Sequence, residues 1–314
     1  AHERLGIMTE MDTEQDDLLP GPSELPRPRA PETEFSIDNQ RYHLLGKQRG
    51  GAAVYRGDAG AYLRLGEREV IERDLGLHRA MERAKFPVAP LISDGELGNE
   101  RYFVEQSLGQ RSFRAIFQET TDASRVILKS NFDAFIGVMK KLHAAQFKAN
   151  QGAWNSEEFA EGIKLPLLCK ELPDHADALL KRFGEAHARL RLLPGTLTHG
   201  DCNPSNVYEN GIIDLEDSFH GPLGYDQISA LISIEWSPDT RDYEFVAQYR
   251  FTKVEQQHYL HMFDVLHAKY TLPPLSKFLD DLSFCRAVWL CTGMGAWPRI
   301  QQWRYEKLIN TYLS

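Results

Sequence analysis

Residues 199–217 read HGDCNPSNVYENGIIDLED, and this run governs how the rest of the chain is understood. It holds a carboxylate, Asp201, an amide five positions later, Asn206, and a second carboxylate, Asp214, eight positions after that. Between the last two lies Asn210-Gly211. Asn-Gly is the strongest short-range signal for a two-residue hairpin turn, because both central residues need positive φ. A reversal there pairs Val207 to Glu209 with Ile212 to Asp214 and brings Asn206 and Asp214 to one end of the hairpin. Two hard oxygen ligands at one mouth suit Mg²⁺, which is commonly held by one or two protein groups together with substrate phosphates. Asp201, just upstream, is placed to take a proton from an attacking hydroxyl.

Asp as base with Asn five positions on as metal ligand is the layout of the kinase catalytic loop, His-Arg-Asp-x-x-x-x-Asn. Gly200 stands here in place of the Arg. The His-Gly-Asp version, followed by Ile213-Asp214-Leu215-Glu216, resembles the aminoglycoside phosphotransferase and choline kinase-like superfamily of small-molecule kinases. The resemblance implies an α+β, protein-kinase-like bilobal fold: a small antiparallel-sheet N-lobe with one helix, and a larger, mostly helical C-lobe carrying the catalytic hairpin. It further implies ATP and Mg²⁺ as cofactors, with transfer of the γ-phosphoryl group to a small-molecule hydroxyl. Asp201 would act as base and Asn206 and Asp214 would hold the metal. Specific motifs carry the resemblance over residues 35–236, and general helical character carries it beyond.

The organisation along the chain fits. Residues 1–34 are acidic and Pro-rich, with no periodic apolar face, and read as a tail or arm. Strands are expected at 42–47, 52–56 and 61–65, joined by turns at Gly50-Gly51 and at 57–60. A helix over 69–83 follows, with Val70, Leu77 and Met81 on its apolar face, stopped by Pro87-Val88-Ala89-Pro90. Two more strands lie near 91–93 and 102–105. The remainder is mostly helical: Phe132, Phe135, Met139, Leu142 and Gln146 share one face of one helix, and Ile228, Leu231, Ile232 and Trp236 share another. The expected divisions are a tail over 1–34, a nucleotide-binding N-lobe over 35–108, and a catalytic and acceptor-binding C-lobe over 109–314.

Other site residues follow from the resemblance. Gly50 and Gly51 match the turn whose backbone amides cover nucleotide phosphates, glycine allowing close approach. Arg64 occupies the third-strand position where kinases place a phosphate-gripping Lys. Arg also holds phosphate, but through a longer planar fork. Its ion-pair partner should come from the following helix, where Glu72 and Asp74 both qualify and Glu72 is preferred. Glu105 to Ser107 match the hinge between lobes, whose main chain meets adenine. His199, Glu216 and Asp226 read as supports that brace the catalytic loop, and His143 as a packing residue. Cys202, inside the motif, invites inhibition by thiol reagents without a chemical role.

Composition bounds the alternatives. The 314 residues are 42% hydrophobic and 26% charged, ordinary for a globular protein of two lobes. The net charge of −9 is concentrated in residues 1–34, where nine acids face three bases. No basic stripe suggests nucleic acid, and neither a membrane span nor a signal peptide is apparent. Four cysteines without Cys-x-x-Cys spacing suit a reducing, cytoplasmic setting. Only twelve positions separate Asp214 from Asp226. That leaves no room for a protein kinase's activation segment, so a protein kinase is disfavoured and a small-molecule acceptor is expected. A nucleotide-binding pseudokinase is the other alternative, favoured only by Arg64. Trp236, Trp289, Trp297 and Trp303 offer a cation–π wall for a quaternary amine, although core packing is the favoured role. Acids at 157, 158 and 161 could attract a polyamine, and His258, His261 and His267 are a loose group with a conceivable metal role.

Overall fold

The computed structural model describes residues 33–314 apart from 38, 48–51, 125 and 151. The expected tail, up to residue 32, and the glycine pair Gly50 and Gly51 lie outside the described residues. Six strands form one antiparallel sheet: β1 (Glu34–Ile37), β2 (Gln40–Lys47), β3 (Ala53–Gly57), β4 (Tyr62–Glu67), β5 (Leu91–Leu97) and β6 (Glu100–Glu105). Their order across the sheet is β1-β2-β3-β4-β6-β5, and α1 (Arg68–Arg83) connects β4 to β5.

The pleat sorts the side chains of β4. Leu63 and Leu65 face a cluster with Tyr42, Tyr55 and Val104, while Arg64, between them, faces the opposite side with Phe103. β1 precedes the first expected strand. Its Phe35 ring meets Tyr55 edge-on, 4.6 Å between centroids, and so covers the outer cluster. α1 buries Ile71, Leu75, His78 and Met81, a stripe turned from the expected one; Val70 and Leu77 flank it half-buried.

The helical lobe follows: α2 (Phe113–Ser124), α3 (Lys129–Lys148), α4 (Ser156–Gly162), α5 (Leu165–Glu171), α6 (Ala176–Leu190), α7 (Tyr225–Ile232), α8 (Lys253–Lys269), α9 (Leu279–Cys291) and α10 (Pro298–Leu308). Short strands β7 (Gly195–Leu197), β8 (Val207–Tyr208), β9 (Gly211–Ile212) and β10 (His220–Pro222) lie between α6 and α7, with β7 pairing β10 and β8 pairing β9. α3 runs through the core and buries all five residues expected on its inner face. Phe113, Phe117, Phe135, Tyr249 and Phe251 stack around it, the ring pairs mostly edge-to-face or tilted. α9 is buried almost all round, the mark of a central helix. No described helix is long and apolar enough to cross a membrane.

The lobes meet at the hairpin. Ile212 N–H donates to Pro87 O at 2.8 Å and Asn210 N–H to Leu108 O at 3.3 Å, so β9 and the hairpin tip touch the loop between α1 and β5 and the segment that crosses from β6 to α2. A Cβ on Gly211 would stand 1.9 Å from the Pro87 carbonyl oxygen, so only glycine fits there.

Candidate active site

The candidate catalytic loop bridges β7 and β8 and is tied down along its first half. Thr198 donates through both N–H and hydroxyl to Phe219 O at 2.8 Å. His199 is buried, and its Nε2 meets Ile213 O at 2.7 Å. Asp226, at the start of α7, lies fully buried beneath the loop. It accepts from His199 N–H (2.8 Å), Gly200 N–H (3.2 Å) and Gln146 Nε2 (2.5 Å). Burial raises the pKa of its carboxyl, and His199 together with these donors pulls it back. Gly200 has φ 83°, and a Cβ there would lie 1.9 Å from the Asp217 carbonyl oxygen. The Arg of protein kinases has no space at this position.

Asp201 is held from three sides. Its Oδ1 accepts from Arg286 Nη2 at 2.5 Å and from Asn203 Nδ2 at 3.0 Å, whereas Oδ2 has only a long contact from Asn206 Nδ2 at 3.4 Å. Asn206 Nδ2 also donates to Asp201 O at 3.0 Å. That spends the amide nitrogen on the loop and leaves Oδ1 without a donor among the described residues.

The hairpin register differs from the Asn210-Gly211 expectation. Val207 pairs with Ile212 and Tyr208 with Gly211, so the turn residues are Glu209-Asn210. The close passage of Pro87 draws Gly211 into the strand, overriding its local preference for the turn. Ile213 N–H still donates to Asn206 O at 3.0 Å, so Asn206 and Asp214 flank the same hairpin end. Asp214 has φ 67°, in the left-handed region that Asp tolerates better than most residues. Burial raises its pKa, Arg64 and His199 oppose this, and Asp201 and Asp217 add to it. Glu216 is raised by burial, then by Asp214 and Asp217.

Asp201, Asn206, Asp214 and Glu216 share one cleft of about 570 Å³, within the size range of small-molecule sites. Asp214 and Glu216 also border a crevice of about 20 Å³ beside Arg64 and Glu105.

Arg64 does not pair with Glu72. Its Nε donates to Glu105 Oε1 at 3.4 Å, and Glu105 Oε2 lies 3.5 Å from His78 Nδ1. Burial opposes the Arg64 charge, but Glu105, then Asp214, more than offset it and hold its pKa above the usual value. Glu72 sits on the outer face of α1, bonded to Arg101 at 2.8 Å. The partner comes from β6 because the α1 stripe that faces Arg64 carries His78 and Asp74 instead. Glu105 therefore contributes its side chain, where only main-chain contact is expected of a hinge residue. Ser107 makes a local turn, its Oγ donating to Gly109 O at 3.0 Å.

The expected reach of thiol reagents to Cys202 is corrected by its burial. Cys202 is fully buried against Met139, and burial pushes its thiol well above the usual range, so thiol reagents do not reach it in the folded chain. The face of Trp289 is taken by Lys164 and Arg286, each 4.3 Å from the ring centroid, and offers no wall to an amine. The histidine group disperses: His267 is buried against His143, with 2.9 Å between their Nε2 atoms, and His258 faces Asp133 at 3.4 Å. Glu157 and Glu158 lie in the first turn of α4, away from the cleft lining.

Arg286 is the residue that sequence reading missed. It is 1% exposed, binds Gly200 O at 3.1 Å as well as Asp201, and lies 85 positions from the latter. Its signal was a single Arg inside the apolar run Phe284-Cys285-Arg286-Ala287-Val288-Trp289. A charge on an all-apolar helix needs a buried partner.

No curated protein sequence matches the chain significantly. Among solved structures, the streptomycin–ATP ternary complex of APH(2'')-IIa is 13% identical, with TM-score 0.52, covering 87% of this chain and 92% of the other. The GDP complex of an aminoglycoside 2'-phosphotransferase-IIIa mutant is 14% identical, with TM-score 0.51, covering 86% and 90%. Plasmodium vivax ethanolamine kinase is 14% identical, with TM-score 0.49, covering 88% and 83%. At these identities the first two structures speak to the fold, and it is the kinase-like fold. A family model gives the stronger result, matching residues 34–259, from the first strand of the sheet into α8 and across the catalytic loop and hairpin. With most of its length so matched, the chain belongs to APH, the phosphotransferase enzyme family.

Proposed function

We propose that this enzyme transfers the γ-phosphoryl group of ATP to a hydroxyl of a small molecule. Asp201 is the base, and Asn206 and Asp214 hold Mg²⁺. One observation carries the reading: Asp201, Asn206 and Asp214 open onto a single cleft, with the Asn206 amide turned so that nitrogen serves the loop and oxygen remains unspent. Asp214, crowded by Asp201 and Asp217 and disfavoured as an anion by burial, gains from a divalent partner. Among the described residues no three His, Cys, Asp or Glu side chains converge on a metal position, which fits Mg²⁺ completed by phosphates and water better than an all-protein cage.

Mg²⁺ bound there would neutralise charge on the transferring phosphates. The residues of the chain do the rest. Arg286 and Asn203 occupy Oδ1 of Asp201, so Oδ2 is the oxygen that meets the acceptor hydroxyl and takes its proton. The acceptor oxygen forms a bond to the γ-phosphorus as the bond from phosphorus to the β–γ bridging oxygen breaks, and ADP leaves with that electron pair. Arg64, fixed by Glu105, presents positive charge toward the nucleotide side of the cleft. Gly50 and Gly51 are assigned to the phosphate cover and Ser107 to the adenine-side hinge. Catalysis comes chiefly from positioning and charge.

Asp201→Asn should lower kcat for acceptor-dependent ADP release by about 10²–10⁴-fold, the usual worth of a positioned base, while nucleotide affinity by calorimetry stays within about twofold of wild type. Full turnover by this variant would remove Asp201 from the base role.

A further inference from the structure

We propose that the acceptor is an anion: an alcohol that also carries a carboxylate, recognised by Arg304 and Arg114. This rests on the phosphotransferase reading of the cleft and narrows its substrate.

The carboxylates of the cleft are already committed. Asp217 is paired with Lys164 at 3.0 Å and Asp201 with Arg286 at 2.5 Å. Asp214 and Glu216 lie where the cleft meets the crevice of Arg64, on the nucleotide side. Among the described residues no uncommitted carboxylate remains on the acceptor wall to receive the ammonium groups of a polycation. The Trp289 ring, which could receive a quaternary amine, already carries Lys164 and Arg286, each 4.3 Å from its centroid.

The cations of that wall are not all committed. Arg304, on α10, lines the cleft yet is only 8% exposed. Its Nε donates to Trp236 O at 2.9 Å and Nη1 to Leu290 O at 2.5 Å and to the Met294 sulfur at 3.5 Å. Every partner is neutral, and among the described residues none reaches Nη2. A guanidinium this deep with no hydrogen-bonded counter-ion is costly. Burial, opposed by Cys291 and Asp201 and aided by repulsion from Arg286, brings its pKa down to about 10, which leaves it charged at neutral pH. Arg114, exposed at the cleft rim, donates only to an amide, Gln248 Oε1, at 3.2 Å. A carboxylate on Arg304 would supply a bonded counter-charge, and guanidinium suits it geometrically, while Arg114 on the same cleft lining adds positive charge toward an incoming anion. Phe245, Tyr249 and Trp297 on the same lining offer apolar surface for the body of such a molecule.

The test is ADP release by the full chain with Mg-ATP against three acceptor sets of similar size. The first holds hydroxy carboxylates such as glycerate, shikimate and quinate, the second neutral polyols, and the third hydroxylated ammonium compounds including ethanolamine, gentamicin and streptomycin. The highest kcat/KM is expected in the first set. Arg304→Gln should raise KM for that set by at least about tenfold with kcat little changed, the pattern of lost ground-state binding. Arg114→Gln, on an exposed position that does not endanger folding, should raise the same KM by about threefold or more. The inference fails if the ammonium set is turned over best, or if either variant affects all sets alike. Release that persists in Asp201→Asn would instead overturn the phosphotransfer reading itself, whichever set is preferred. Silence from all sets by a chain that binds Mg-ATP would overturn both.

Discussion

Gly200 answers two demands at once, a φ of 83° and a backbone oxygen 1.9 Å from where its Cβ would stand. The conformation alone costs an L-residue about 1–2 kcal/mol, and the contact forces Gly200 away from Asp217. Gly200→Ala should therefore lose activity to the level of Asp201→Asn and lower the urea midpoint; an active variant of unchanged stability would refute this. The same residue shows what a sequence can disclose. His-Gly-Asp was legible because the backbone constraint and the candidate base sit within three consecutive residues. Arg286 was not, because its partner lies 85 positions away and no local spacing announces it. Glu72 and Glu105 exchange roles for a related reason. The helix offers acids to Arg64 in sequence, but a side chain's facing is settled by which stripe of α1 packs on the sheet.

Among elements, the hairpin was readable as a reversal but not to the residue. Asn210-Gly211 sends the turn one position too far, since Pro87, from another segment, claims the space beside Gly211. α1 was readable as a helix, yet both Val70-Leu77-Met81 and Ile71-Leu75-Met81 have helical spacing, and only the sheet chooses between them. β1 is four residues long, too short for alternation to identify it. α3 was legible in full because its inner face, from Phe132 to Gln146, spans about four turns. Phe135, at its centre, is fully buried with Phe113 and Phe117 rings at 5.4 and 5.5 Å. Phe135→Ala should lower unfolding free energy by about 3–5 kcal/mol, seen as a lower urea midpoint at constant m. A loss under about 1 kcal/mol would mean the ring cluster is not closely packed.

The whole molecule carries a pH dependence in the buried pair joining α3 to α8. His143 is lowered to about 3 by burial, then by repulsion from His267, and His267 is itself lowered by burial, with Asp264 and the Pro273 carbonyl opposing. Unfolded, both titrate near about 6.5. Below that pH the unfolded chain binds more protons than the folded one, so this contribution is complete above about pH 6.5 and is lost as pH falls toward 3. His143 alone should remove about 2 kcal/mol between pH 7 and pH 5. His143→Gln should flatten the urea-midpoint profile over that interval, and an unaltered slope would assign the effect elsewhere.

The stitching of the hairpin to Pro87 and Leu108 has a mechanical corollary. Pro87, in the loop of the sheet lobe between α1 and β5, and Leu108, in the crossing from β6 to α2, are both fastened to the strand pair whose open end carries Asn206 and Asp214. Any swing of one lobe against the other pulls on that pair, so the placement of Asn206 and Asp214 and the width of the cleft they line vary together.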